Sequence, residues 1–75
     1  MINLSQAQAG KHYKVESLIS LKSLSKRLAI LGLNTGVFIE ILALYKHGAV
    51  IKTTCGNIAL GADLLESIQV TTAFN

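Results

Sequence analysis

The sequence predicts a mainly β chain with minor helix. Five short strands curl into a small, partly open barrel, with one short helix between the first two strands and one helical turn before the last. Three observations predict it. Apolar residues recur with period two in several short runs, glycine-bearing turns separate those runs, and only residues 22–31 switch to helical spacing.

Leu4-Ser5-Gln6-Ala7-Gln8-Ala9-Gly10 reads as a lead-in that ends in a glycine turn. Residues 12–19 then alternate, with Tyr13, Val15 and Ser17 on one side and Lys14 and Glu16 on the other, the pattern of a half-buried strand. In residues 22–31, Leu24, Leu28 and Leu31 share one helical face while Lys22, Lys26 and Arg27 fall elsewhere. Ser20 or Ser23 can cap its start, because a short side-chain oxygen satisfies a free amide of the first turn. Gly32 is placed to take the left-handed conformation that ends a helix, with Leu33 reaching back to Leu28.

From Gly36 the period returns to two. Val37, Ile39, Ile41 and Ala43 make one face and Phe38, Glu40, Leu42 and Leu44 the other, so this long strand is sandwiched or strongly bent. The helix is one candidate cover for the second face. Lys46-His47-Gly48 closes a hairpin onto residues 50–54, and Cys55-Gly56-Asn57 turns the chain back through Ile58-Ala59-Leu60. Asp63-Leu64-Leu65-Glu66 has room for one helical turn, and Ile68-Gln69-Val70 is a short closing strand. The order of parts is that of an SH3-like barrel.

The chain has 75 residues, enough for one domain spanning 1–75. Hydrophobic residues make up 51% and charged residues only 15%, so the core takes most of the apolar content and an apolar contact patch is expected. The nearly continuous apolar stretch 28–45 is interrupted by Asn34, Thr35 and Glu40, which argues against a membrane-spanning helix. Met1-Ile2-Asn3-Leu4-Ser5 lacks the basic-then-apolar pattern of a signal peptide. Cys55 is the single cysteine and cannot form an internal disulfide, which points to the reducing cytoplasm. The net charge of +3 is scattered over six lysines and Arg27 without a basic run, so no nucleic acid is expected as partner.

No catalytic constellation stands out. Glu16, Glu40, Asp63 and Glu66 are too scattered to nominate an acid–base pair, and the glycines match neither nucleotide-binding spacing. His12, His47 and Cys55 are the soft metal ligands, at a spacing that fits no zinc pattern. The apolar outer face of the long strand, running toward Tyr45 and His47, suits a protein partner better.

The chain resembles the FeoA family, the small cytosolic ferrous iron transport proteins whose domain also ends some iron-dependent repressors. The resemblance rests on Leu4-Ser5 with Gly10, Tyr13-Lys14-Val15, and above all Arg27-Leu28-Ala29-Ile30-Leu31-Gly32-Leu33-Asn34-Thr35-Gly36. It continues through Ile39-Glu40-Ile41-Leu42, Gly56-Asn57-Ile58-Ala59-Leu60 and Ile68-Gln69-Val70, covering about residues 4–71. It implies an SH3-like barrel with an inserted helix and no catalysis or cofactor. The implied role is assistance to FeoB, the membrane iron transporter with a cytosolic G-protein region, without insertion into the membrane. Two departures stand out: Gly48-Ala49-Val50 replaces a Gly-Asp-Pro-like element, and Gly61 stands where the family places arginine.

Leu42, Leu44, Tyr45 and His47 are the expected partner contacts, since strand ends and hairpin tips are where a small barrel presents an apolar anchor beside polar groups. Leu28, Gly32, Leu33 and Gly36 are expected to be structural. The competing functions are a nucleic-acid-binding small barrel and a metal-sensing module.

Overall fold

A computed structural model describes residues 2–18 and 25–74. The strands are β1 (Ile2–Asn3), β2 (His12–Ser17), β3 (Phe38–Tyr45), β4 (Gly48–Thr53), β5 (Gly56–Gly61) and β6 (Gln69–Phe74). They pair antiparallel in the order β1-β6-β2-β3-β4-β5, a curled sheet that does not close. Two short helices, α1 (Ser25–Ile30) and α2 (Ala62–Leu65), complete the SH3-like arrangement. Leu4, Val15, Leu33, Ile39, Ile41, Ile51, Ile68 and Val70 are fully buried and form the centre of the core. Among the described residues no helix is long and apolar enough to cross a membrane.

The expected lead-in is a structured element. Ile2 and Asn3 pair with Val70 and Gln69, and a 3₁₀ turn follows at Leu4–Gln6. Asn3 caps that turn: its Oδ1 accepts the Ser5 N–H at 3.1 Å while its own N–H donates to Gln6 Oε1 at 3.1 Å. The reciprocal bonds are a capping box, and they point Leu4 into the core. A serine- and glutamine-rich run reads as loop because its two core residues, Leu4 and Ala7, are too few to show a period.

The expected helix over 22–31 is seen as α1 from Ser25, and the candidate caps Ser20 and Ser23 lie outside the described residues. Its exit is fully paired. Gly32 has φ 91° and donates to Ala29 O at 3.0 Å, while Leu33 N–H donates to Leu28 O at 2.9 Å. These two bonds make a Schellman motif, with Leu33 and Leu28 both buried. The tight exit leaves only Asn34, Thr35 and Gly36 before the chain joins β2: Gly36 N–H donates to Val15 O at 2.7 Å and Val15 N–H to Val37 O at 2.9 Å.

Two strand assignments shift. The closing strand runs over Gln69–Phe74, not 68–70, and lies between β1 and β2. Its extra residues include Thr71 and Thr72, polar but β-branched and suited to a half-exposed strand; Thr71 Oγ1 donates to Glu16 Oε2 across to β2 at 2.8 Å. The second hairpin turns at Thr54-Cys55, which leaves Gly56 and Asn57 in β5 opposite Thr53 and Lys52.

Candidate partner-binding surface

β3 carries the residues expected to meet a partner, and one local irregularity decides how they point. Ile41 faces Ile51 on β4, but Ala43 faces Val50, so Leu42 is an extra residue with no counterpart: a β-bulge. Ahead of it Ile39 and Ile41 point inward; beyond it Leu44 packs against the core. The strict alternation that groups Phe38, Leu42 and Leu44 on one face therefore fails at Leu44. Leu42 is left 39% exposed and Phe38 53% exposed, so α1 does not cover the outer face of β3. Instead α1 turns Leu28 into the core and lines a groove with Leu60 and Leu64.

Tyr45 and His47 are presented together. Tyr45 is 67% exposed at the end of β3, and His47 is exposed in the two-residue turn before β4. Both line a shallow cleft whose floor is Gly48, Ala49, Val50, Ala59, Leu60 and Gly61. Leu42 and Leu44 are not part of that lining. Val50 and Ala59 take their place, as cross-strand partners on β4 and β5. The signal for them lay in the hairpin: with Thr54-Cys55 as a two-residue turn, the register puts Ala59 opposite Val50.

The cleft is held by backbone, not by the side chains that line it. Ala62 N–H donates to His47 O at 2.9 Å, tying the turn to the start of α2. Gly48 lies so close to β5 that a Cβ there would sit 2.2 Å from Leu60 O. Only glycine allows that approach, and it lets the tip stay narrow while Tyr45 and His47 face outward.

A second, more polar surface lies on the same sheet. His12, Glu40 and Lys52 are successive cross-strand partners on β2, β3 and β4, with His12 Nε2 3.6 Å from Glu40 Oε1. Both side chains are partly solvated, where such a pair contributes little to stability. The three soft ligands do not form one site. His47 and Cys55 stand in the turns at opposite ends of β4, about 20 Å apart for a strand of this length. Among the described residues no group of three or more His, Cys, Asp or Glu could hold a metal ion.

The FeoA domain family profile matches residues 2–72. The structure is similar to the FeoA protein from Chlorobium tepidum, with a TM-score of 0.85 and 22% identity over 95% of this chain and 70% of that one. It is similar also to the iron uptake regulatory protein FeoA, with a TM-score of 0.86 and 22% identity over 96% of this chain and 97% of that one. ScaR with bound Zn2+ shows the same fold over 97% of this chain and 37% of its own, at a TM-score of 0.84 and 20% identity. No curated protein matches the sequence closely enough to count as a relative. The solved structures share the fold, and the family match over nearly the whole chain goes further: this chain belongs to the FeoA domain family.

Proposed function

We propose that this chain is a small, non-catalytic accessory protein of bacterial ferrous iron uptake, acting in the cytoplasm by binding the G-protein region of the membrane transporter FeoB and regulating or scaffolding it. Family membership supports the link to iron transport. The observation that carries the binding role is the cleft at the β3–β4 tip. There an exposed tyrosine and histidine stand beside Val50 and Ala59 on a backbone-rigid hairpin. Tyrosine is favoured at binding hot spots because it brings a large apolar ring and a hydroxyl at low conformational cost. A rigid hairpin lowers that cost further.

The test is calorimetric titration of the chain against the isolated cytosolic region of FeoB. Tyr45→Ala with His47→Ala is expected to weaken binding by about tenfold or more, the scale of a lost hot spot. Unchanged affinity in the double variant would remove this cleft from the contact. Likeness to ScaR with bound Zn2+ and to a manganese-dependent transcriptional repressor supports a second reading, a metal-sensing module. Titration of zinc or manganese followed by NMR of the His12 and His47 rings checks it; unmoved resonances would count against those ligands.

A further inference from the structure

β5 ends the open sheet with six residues, Gly56-Asn57-Ile58-Ala59-Leu60-Gly61. Ala62 N–H bonds His47 O, and the register then alternates so that Leu60, Ile58 and Gly56 bond to β4. Asn57 and Ala59 fall between them and turn both N–H and C=O outward, and nothing among the described residues pairs with them there. Sheets that must stay unpaired guard such an edge with lysine, proline or a bulge. β5 has no charged residue, no proline and an unbroken register.

What lies beside that edge decides what it takes. A groove between α1, β5 and α2 is lined by Arg27, Leu28, Leu31, Ala59, Leu60 and Leu64. Its volume, about 270 Å³, falls below the roughly 300–1,000 Å³ of small-molecule pockets and suits one or two side chains. Leu31 is 42% exposed, so the apolar wall is open to solvent. Arg27 is exposed and is the one charged residue lining the groove among the described residues, and none of their carboxylates forms an ion pair with it. Asp63 and Glu66, the acids nearest Leu64 in sequence, do not line it. A second exposed cation, Lys52, stands opposite Asn57 on β4.

We infer that the β5 edge is a docking site for an extended acidic segment of another protein, one in which carboxylates flank an apolar residue. Its backbone adds a strand opposite Asn57 and Ala59, and the main-chain hydrogen bonds supply affinity. Side chains of such a strand alternate between faces. Those beside Ala59 face outward with it, and those beside Leu60, whose own side chain is buried, face the groove. There one apolar side chain packs against Leu31 and Leu64, and a carboxylate accepts two hydrogen bonds from the Arg27 guanidinium. Charge selects the partner. Backbone pairing alone accepts any strand, whereas Arg27 and the net charge of +3 favour an acidic one and oppose both a basic strand and a second copy. The inference does not depend on what the Tyr45–His47 cleft binds.

Peptide titration of the full chain, followed by NMR and amide hydrogen exchange, tests it without the transporter. The probe is a short valine- and threonine-rich peptide with a central leucine and a glutamate on each side of it; its counterpart carries lysine in place of glutamate. The glutamate peptide is expected to saturate below about 1 mM and to slow exchange of the Asn57 and Ala59 amides about tenfold. The lysine peptide is expected to bind about tenfold more weakly. Arg27→Gln, a change at an exposed position, is expected to weaken the glutamate peptide about fivefold and the lysine peptide not at all. Equal binding of the two peptides overturns the inference, and so does binding of neither. Glutamate-peptide binding that leaves the two amides unprotected, or that is indifferent to Arg27→Gln, overturns it as well. Protection that grows with protein concentration alone overturns it in favour of a second copy. If Arg27→Gln does not fold, the two peptides on the unmodified chain decide.

Discussion

β4 is bounded by two two-residue turns that are built in different ways. At the Thr54-Cys55 end a side chain does the tying. Thr53, buried, places its Oγ1 2.8 Å from Leu31 O and 3.0 Å from Gly56 O, and accepts the Cys55 N–H at 3.1 Å. One hydroxyl therefore fastens the C-terminus of α1 to the hairpin, and Gly32 packs so closely that a Cβ there would sit 2.7 Å from it. At the Lys46-His47 end no side-chain hydrogen bond is used among the described residues. Gly48 and the Ala62-to-His47 backbone bond hold the geometry, and Tyr45 and His47 face solvent. Folding consumes the side chains of one turn and spares those of the other, and spared side chains are the ones available for a partner.

The sharpest way to break that contrast is at Gly48. Gly48→Ala forces a methyl against the Leu60 carbonyl, a backbone atom that cannot step aside. The expected loss is about 3 kcal/mol, at the upper end for overpacking, read as a fall in the denaturation midpoint. An unchanged midpoint would show that the tip is not held by close backbone approach.

Thr53→Val keeps the shape and removes the hydroxyl, leaving Leu31 O and Cys55 N–H without their partner in a part-buried place. It is expected to cost about 1 kcal/mol, the scale of a lost part-buried hydrogen bond, and Thr53→Ser, which keeps the oxygen, clearly less. Equal losses in the two variants would mean that the methyl, not the hydroxyl, ties α1 to the hairpin.

The smallest effect on stability belongs to Tyr45→Ala with His47→Ala. Both residues are exposed, so the denaturation midpoint should move by no more than about 0.5 kcal/mol equivalent. The same variant is the one expected to lose the transporter. A large stability loss would place these side chains among the groups that build the turn and erase the contrast.

What the residues disclosed follows the same division. The helix exit is legible because Gly32 and Leu33 stand at fixed offsets from the last helical turn, and the rule linking them is local. The strands β2 to β5 are legible from alternation and turn residues. β1 and the 3₁₀ turn are not, since their partners are distant in sequence: Ile2 pairs with Val70 on β6, and Leu4 N–H donates to Ile68 O at 2.8 Å. The clamp at Thr53 is invisible for the same reason, as it joins residues 22 apart. At the candidate site, Tyr45 and His47 could be named from their place at a hairpin tip. Leu44 turns toward the core because period two holds only while every residue of a strand has a counterpart. Val50 and Ala59, by contrast, come into the cleft through the register that the Thr54-Cys55 turn sets.

The bulge at Leu42 has a bearing on how chains of this kind diverge. Excising Leu42 would leave Ile41 opposite Ile51 and Ala43 opposite Val50, with Tyr45 still opposite Gly48. The hairpin thus has a slot where length can change by one residue while everything beyond it keeps its address. An ungapped alignment drawn through that slot would compare Tyr45 of one chain with the wrong residue of another.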